Sequence, residues 1–184
     1  MLENLQILFI NRFLVILNKF IRNIKIKNLY FEIETNKEYN FLLIFFLKHH
    51  FTTQLDCLID IIVIDNPNRK SRFTIIYNLL SFNYNNRFFI KINTNEISKI
   101  FSLFTIYSGS NWYEREIWDM FGIFFKNHPD LRRILTDYNF KGFPLRKDFP
   151  LTGFFEVFYS SVESKLVYKK VKLAQAYRVF LTDK

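Results

Sequence analysis

Apolar residues recur along this chain with two different periods, and the points where the period changes divide it into elements. Over residues 3–21, Leu5, Leu8, Phe9, Phe13, Ile16 and Phe20 return at helical spacing, which predicts an amphipathic first helix. From Ile24 the period falls to two, with Leu29, Phe31 and Ile33 alternating against Tyr30, Glu32 and Glu34 as in a strand with one face in water. Thr35 followed by Glu38 has the spacing of a capping box, so a second helix is expected up to Lys48. Residues 58–64 read as a largely buried strand, Asn66-Pro67-Asn68 as a turn, and residues 73–80 as a strand returning against it. A turn at 83–86 leads into Phe88, Ile90 and Ile92 alternating with Phe89, Lys91 and Asn93, a third consecutive antiparallel strand. Ile97, Ile100, Phe101 and Phe104 then repeat at the 3.6 period and predict a helix from about Asn95. The order α, β, α, β, β, β, α predicts an α+β fold with helices packed on one face of a mainly antiparallel sheet.

The pattern changes at Gly109. Three of the four glycines and three of the four prolines lie between Gly122 and Gly153, so this stretch holds only short helical pieces and is otherwise turned or extended. Residues 111–125 predict one more helix. Asn111 is positioned to cap it with Glu114 at the third position, Tyr113, Ile117, Met120, Phe121 and Phe124 share a side, and Gly122 is a candidate early stop. Glu114, Arg115, Glu116 and Asp119 fill the remaining positions, with Arg115 in reach of Asp119 at i,i+4. That face is either solvated or, with Trp112 and Trp118 beside it, half-buried in an interface.

Downstream, His128-Pro129-Asp130-Leu131-Arg132-Arg133 and Pro144-Leu145-Arg146-Lys147-Asp148-Phe149-Pro150 alternate charge sign while large apolar residues interleave. A stretch so poor in regular structure leaves backbone groups to be satisfied from outside, and its Phe, Leu and Arg side chains suit a protein contact. The expected organisation is a compact α+β domain over 1–125 and an extended partner-binding segment over 126–184. Candidate interface residues are Glu114, Arg115, Glu116, Asp119, His128, Pro129, Asp130, Arg132, Arg133, Pro144, Arg146, Lys147, Asp148, Phe149 and Pro150. The alternative is that these charges are ion pairs within the chain.

Composition narrows the chemistry. With 184 residues and 49% hydrophobic content the chain can bury a real core without disulfides or a structural metal. The single cysteine, Cys57, lies among Leu58, Ile59 and Ile61 and reads as a buried inert thiol; it cannot alone ligate an iron-sulfur cluster. The excess of Phe, Ile, Asn, Lys and Tyr over Ala and Gly is that of an AT-rich genome such as an organelle's. A formal charge of +9 is spread along the chain with no basic run longer than two, so no phosphate-tracking stripe is indicated. No apolar stretch approaches the roughly 20 residues of a membrane span. No two glycines stand in nucleotide-binding spacing, and His49-His50 at a helix end reads as a surface cap. No catalytic residue, cofactor site or metal site is therefore predicted.

Glu114-Arg115-Glu116, Asp119-Met120-Phe121-Gly122-Ile123 and the two downstream runs together resemble the thirty-kilodalton-type core subunit of respiratory complex I over about 45 residues, 111–153. The tail resembles it more sparsely, through Gly153, Glu156, Val157, Tyr159, Gln175, Arg178 and Phe180. Asn127 and Asn139 stand where that family has glycine, and asparagine best replaces glycine at positive φ. Phe143, Phe158 and Lys169-Lys170 depart from the pattern. The resemblance implies a non-catalytic subunit of NADH:ubiquinone oxidoreductase on the matrix side of the mitochondrial inner membrane. It implies further that flavin and clusters sit on neighbouring subunits, and that the chief partner is the large quinone-pocket subunit. The rival reading is an organelle RNA-binding or ribosomal protein, suggested by a pI near 9.6, 20% aromatics and a three-stranded sheet on which bases could stack.

Overall fold

Alternation along residues 30–35 is realised as burial. In the computed structural model, which describes residues 17, 19–27 and 30–178, Phe31, Ile33 and Thr35 are buried while Tyr30, Glu32 and Glu34 are partly exposed. The elements are β1 (Ile21–Lys27), β2 (Tyr30–Thr35), α1 (Asn40–His49), β3 (Cys57–Asp65), β4 (Phe73–Ser81), β5 (Asn86–Thr94), β6 (Ile100–Phe101), α2 (Ser110–Phe121), β7 (Phe125–Lys126), β8 (Phe155–Ser160) and β9 (Lys165–Lys170). Five strands form one sheet in the order β1-β2-β5-β4-β3. Every neighbouring pair is antiparallel except β2 and β5, which are parallel, as a connection through α1, β3 and β4 permits. The α+β class and the run of three antiparallel strands are as the hydrophobic pattern predicts.

One sheet face builds the core. Phe31 and Ile33 of β2, Phe73, Ile75, Tyr77 and Leu79 of β4, and Phe88, Ile90 and Ile92 of β5 are buried in a single cluster with Leu43, Ile44 and Leu47 of α1 and Ile117 of α2. Each such side chain contributes about 1.5–3 kcal/mol by leaving water. Lys48 and His49 occupy the last turn of α1, where positive charge complements the helix dipole.

Several local expectations change, and one falls largely outside the described residues. Most of the predicted first helix lies outside the described residues, and at Ile21 the chain is already a strand. The single strand expected from Ile24 is two, β1 and β2, paired antiparallel. Thr35 does not cap α1. Its hydroxyl donates to the Phe20 carbonyl at 2.6 Å, and Tyr39 occupies the N-cap without a side-chain bond. The helix expected from Asn95 is absent, and Ile97 is 93% exposed. Instead the amides of Ile100 and Ser102 donate to the carbonyls of Phe124 and Lys126, making the parallel β6–β7 pair, while the Leu103 amide donates to Glu114. Tertiary acceptors thus outcompete a local helix whose apolar spacing was adequate.

Helix α2 has Gly109 at its N-cap rather than Asn111, and Gly122, with φ +77°, at its C-cap. A Cβ on Gly122 would approach the Phe143 ring to 2.6 Å and Arg146 Nη2 to 2.7 Å, so both backbone sign and space demand glycine. Asn127 adopts φ +64°, as a glycine substitute should; Asn139 is not in that region.

Candidate partner-binding surface

Residues 127–150 contain no helix or strand, yet several of their polar groups find partners within the chain. Three anchors bind this strap to the α+β body. The first is Asp119 on α2, fully buried, whose carboxylate accepts the amides of Ile134 at 3.1 Å, Leu135 at 2.7 Å and Thr136 at 2.9 Å, the Thr136 hydroxyl at 2.5 Å and Arg133 Nη1 at 3.0 Å. Burial works against the charge, but these donors outweigh it and hold the carboxyl below its usual range. Arg133 also donates to the Gly142 carbonyl at 3.0 Å, closing the loop on itself.

The second anchor is Arg146. Its Nε donates to the Phe121 carbonyl at the end of α2 at 2.6 Å, and its guanidinium lies 4.4 Å from the Phe143 ring centre and 5.4 Å from that of Phe73. The Leu145 amide donates to the Met120 carbonyl, so the strap satisfies carbonyls that any helix C-terminus leaves open. At the third anchor, Asp65 of β3 accepts Arg72 Nε at 2.7 Å, Arg72 Nη2 at 2.9 Å and the Lys147 amide at 2.8 Å. Arg72 reaches both oxygens of Asp148 at 3.0 Å and Glu96 at 2.6 Å, and Arg146 reaches Glu96 at 3.3 Å. Arg72 holds the Asp65 and Asp148 carboxyls below their usual range.

The helical ion pair expected between Arg115 and Asp119 does not form. Arg115 turns instead to Asp130, 3.3 Å away, beside the Trp112 ring. Glu114 is also fully buried, accepting the Ser102 hydroxyl at 2.5 Å and the Leu103 amide at 2.7 Å, and burial pushes its carboxyl up to about 7. The His128 side chain is enclosed as well. Glu116, Pro129 and Arg132 are exposed, with Arg132 pairing to Asp130 at 3.0 Å. The Lys147 and Asp148 residues are exposed, Pro144 and Pro150 half-buried, and Phe149 packs against the Phe140 and Phe154 rings. Reading i,i+4 distances along α2 could not reveal the Asp119 anchor, because its acceptor role is completed 14 to 17 residues away.

Beyond the strap lies a feature that sequence reasoning missed. β8 and β9 form an antiparallel hairpin with Val157 opposite Tyr168 and Tyr159 opposite Leu166. Phe155, Val157, Tyr159, Leu166 and Tyr168 share one face, and all are between 51% and 65% exposed. Phe158 on the opposite face is 46% exposed, with Glu156, Lys165 and Lys169 around it. Among the described residues it is tied through Phe154 against Phe149, the Val171 amide to the Phe154 carbonyl, and the Tyr168 hydroxyl to Asp137 at 3.4 Å. The signal was available, since two aromatic and β-branched runs flank Ser160, Ser161 and Ser164. Among the described residues no three of His, Cys, Asp and Glu gather as a metal set, and no helix is long and apolar enough to cross a membrane.

These features define a class: an α+β body that fastens its own irregular strap and holds out an uncovered hairpin. Comparison with known proteins identifies the family. The profile of the respiratory-chain NADH dehydrogenase 30 kDa subunit matches residues 33–155, and the chain belongs to that family. It is 48% identical over 147 residues to NADH dehydrogenase [ubiquinone] iron-sulfur protein 3 of Solanum tuberosum, covering 80% of this chain and 77% of that relative. It is likewise 48% identical over 167 residues to NADH-ubiquinone oxidoreductase subunit 9 of Acanthamoeba castellanii, covering 88% and 84%. A chain in the membrane-bound sulfane sulfur reductase, an archaeal respiratory membrane complex, shares the fold with a TM-score of 0.63 at 20% identity over 74% of this chain and 82% of the other.

Proposed function

We propose that this chain is a non-catalytic core and assembly subunit of the peripheral arm of NADH:ubiquinone oxidoreductase, on the matrix side of the mitochondrial inner membrane. Its chief partner in this reading is the neighbouring large subunit that helps form the quinone pocket. The observation that carries the reading is the hairpin, whose apolar face has no cover within the described chain although the strap beside it is anchored at three points. Apolar area of this kind, with Lys170 opposite Phe155 on the same face, is the chemistry of a protein contact with a carboxylate at its edge. Membership of the family supplies the complex, and the AT-rich composition supports an organelle gene.

The relatives' printed name includes iron-sulfur, but a cluster needs about four thiolate ligands and this chain has one cysteine, Cys57. The residues do not fit a cluster, which supports the reading that the clusters belong to neighbouring subunits; in the same reading the flavin does too. The contribution to electron transfer is positional: cofactors on other chains work only when held at fixed spacing. The test is the triple variant Phe155→Ser, Tyr159→Ser, Leu166→Ser. The free chain should keep its fold, while recovery of assembled peripheral arm and NADH:quinone activity fall together. Normal assembly with that variant would overturn the reading.

A further inference from the structure

Every arginine in or beside the strap finds a carboxylate: Arg115 and Arg132 meet Asp130, Arg133 meets Asp119, and Arg72 and Arg146 share Glu96. Next to the third anchor the balance differs. Arg22, Lys37, Arg69 and Lys70 make no ion pair among the described residues. Arg22 near the start of β1 and Lys37 between β2 and α1 line one cleft of about 290 Å³, together with Ser71, Asn93, Asn95 and Ser98. Arg69 and Lys70 stand exposed in the turn that leads into Ser71. The topology makes this cleft. β2 and β5 are the parallel neighbours of the five-stranded sheet and end together, after which one chain turns into α1 and the other runs on to β6. Parallel strands whose continuations part leave a crevice at their carboxyl ends. Its donors are held in place. Lys37 Nζ donates to the Ser98 hydroxyl at 2.8 Å, which fixes the ammonium in the lining. Asn93 Oδ1 accepts the Thr74 hydroxyl at 2.9 Å, so both hydrogens of its amide are left for another acceptor.

We propose that this cleft receives an acidic segment of a neighbouring subunit, whose Asp or Glu carboxylates meet Arg22 and Lys37 and whose backbone meets the amides of Asn93 and Asn95. Charge argues for an acidic occupant, since two unpaired cations line the cleft and two more stand in the adjoining turn, against the carboxylate of Glu38. A polypeptide fits this lining better than a phosphate group does. Glu38 repels a dianion but accepts a peptide N–H, and side-chain amides pair with peptide groups as donor and acceptor alike. The volume lies at the lower edge of the roughly 300–1,000 Å³ of small-molecule sites, which leaves room for side chains reaching in rather than for a cofactor. The inference rests on the chain's place in a larger complex but not on the hairpin, a separate surface with its own test.

A carbodiimide joins a lysine amine to a carboxylate in contact with it. In the assembled respiratory complex it should link Lys37 to an Asp or Glu of another subunit, and acetic anhydride should label Lys37 several-fold more slowly there than in the free full-length chain. The double variant Arg22→Glu, Lys37→Glu should leave the urea midpoint of the free chain nearly unchanged, because neither cation is paired within it. Recovery of the assembled arm should fall by more than about tenfold, since like charges set against each other across a contact cost more than a lost pair. Should the double variant fail to fold, the cross-link and the labelling rates of the wild-type chain decide. Equal labelling of Lys37 in the two states, or links only to carboxylates of its own chain, would overturn the proposal. Slow labelling without a link, reversed when phospholipid is stripped from the complex, would assign the cleft to a lipid headgroup and overturn it too. Protection of the hairpin with Lys37 freely labelled would sink this inference alone, whereas exposure of both surfaces in the complex would sink the subunit reading with it.

Discussion

The strap over residues 127–150 and the hairpin of β8 and β9 present opposite combinations of backbone order and side-chain cover. The strap has no repeating hydrogen bonds of its own, yet Asp119, Arg146 and Asp65 bind it to the body. The hairpin has a complete ladder, yet its large side chains rest on almost nothing. Irregular backbone is thus a poor guide to where another protein sits. What matters is whether polar groups find partners and apolar groups find cover, and by that measure uncovered apolar side chains occur in the strap at Leu135, Tyr138 and Leu145 and become continuous in the hairpin.

Breaking the strap's anchors should have the largest effects on the chain alone. Asp119→Ala leaves Arg133 and three amides without their acceptor and should cost about 3–5 kcal/mol, seen as a lower urea midpoint. Because that carboxyl lies below its usual range, its contribution is present above pH 3.8 and lost as pH falls through the lower folded value, so the variant should narrow the gap to wild type in strong acid. Gly122→Ala forces a side chain into the left-handed region and onto Phe143, and should cost about 2–4 kcal/mol by the same measurement.

Smaller effects sharpen the contrast from the other side. The hairpin triple variant should shift the urea midpoint of the free chain little, each change lying within roughly 0.5 kcal/mol for an exposed site, while assembly fails because a contact core commonly carries over 2 kcal/mol per central residue. Arg132→Ala should be the mildest for folding. Its side chain is 71% exposed and its pair with Asp130 contributes about 0–1 kcal/mol, so a reduced yield of assembled arm with an unchanged melting temperature would assign Arg132 to the partner.

Strands were legible wherever one face met water, as in Phe31 and Ile33 or Ile90 and Ile92, because a period of two directly records burial. The segment around Ile97 and Ile100 has helical spacing but no helix, because Glu114 and the carbonyls of Phe124 and Lys126 capture its donors. Glu114 and Asp119 could be singled out as chemically interesting, but not placed in the interior. Carboxylates are rarely buried, and their compensating donors come from remote turns that no local rule connects to them. The family was readable from residues 111–153, whereas the hairpin needed attention to its two short aromatic runs.

Hydroxyl-radical footprinting of the free chain and of the assembled respiratory complex tests the central contrast most directly. Phe155, Tyr159 and Tyr168 should be readily oxidised in the free chain and protected in the complex, while Phe143, seated between Arg133 and Arg146, should be protected in both. Equal oxidation of the three hairpin rings in the two states, or ready oxidation of Phe143 in the free chain, would contradict it.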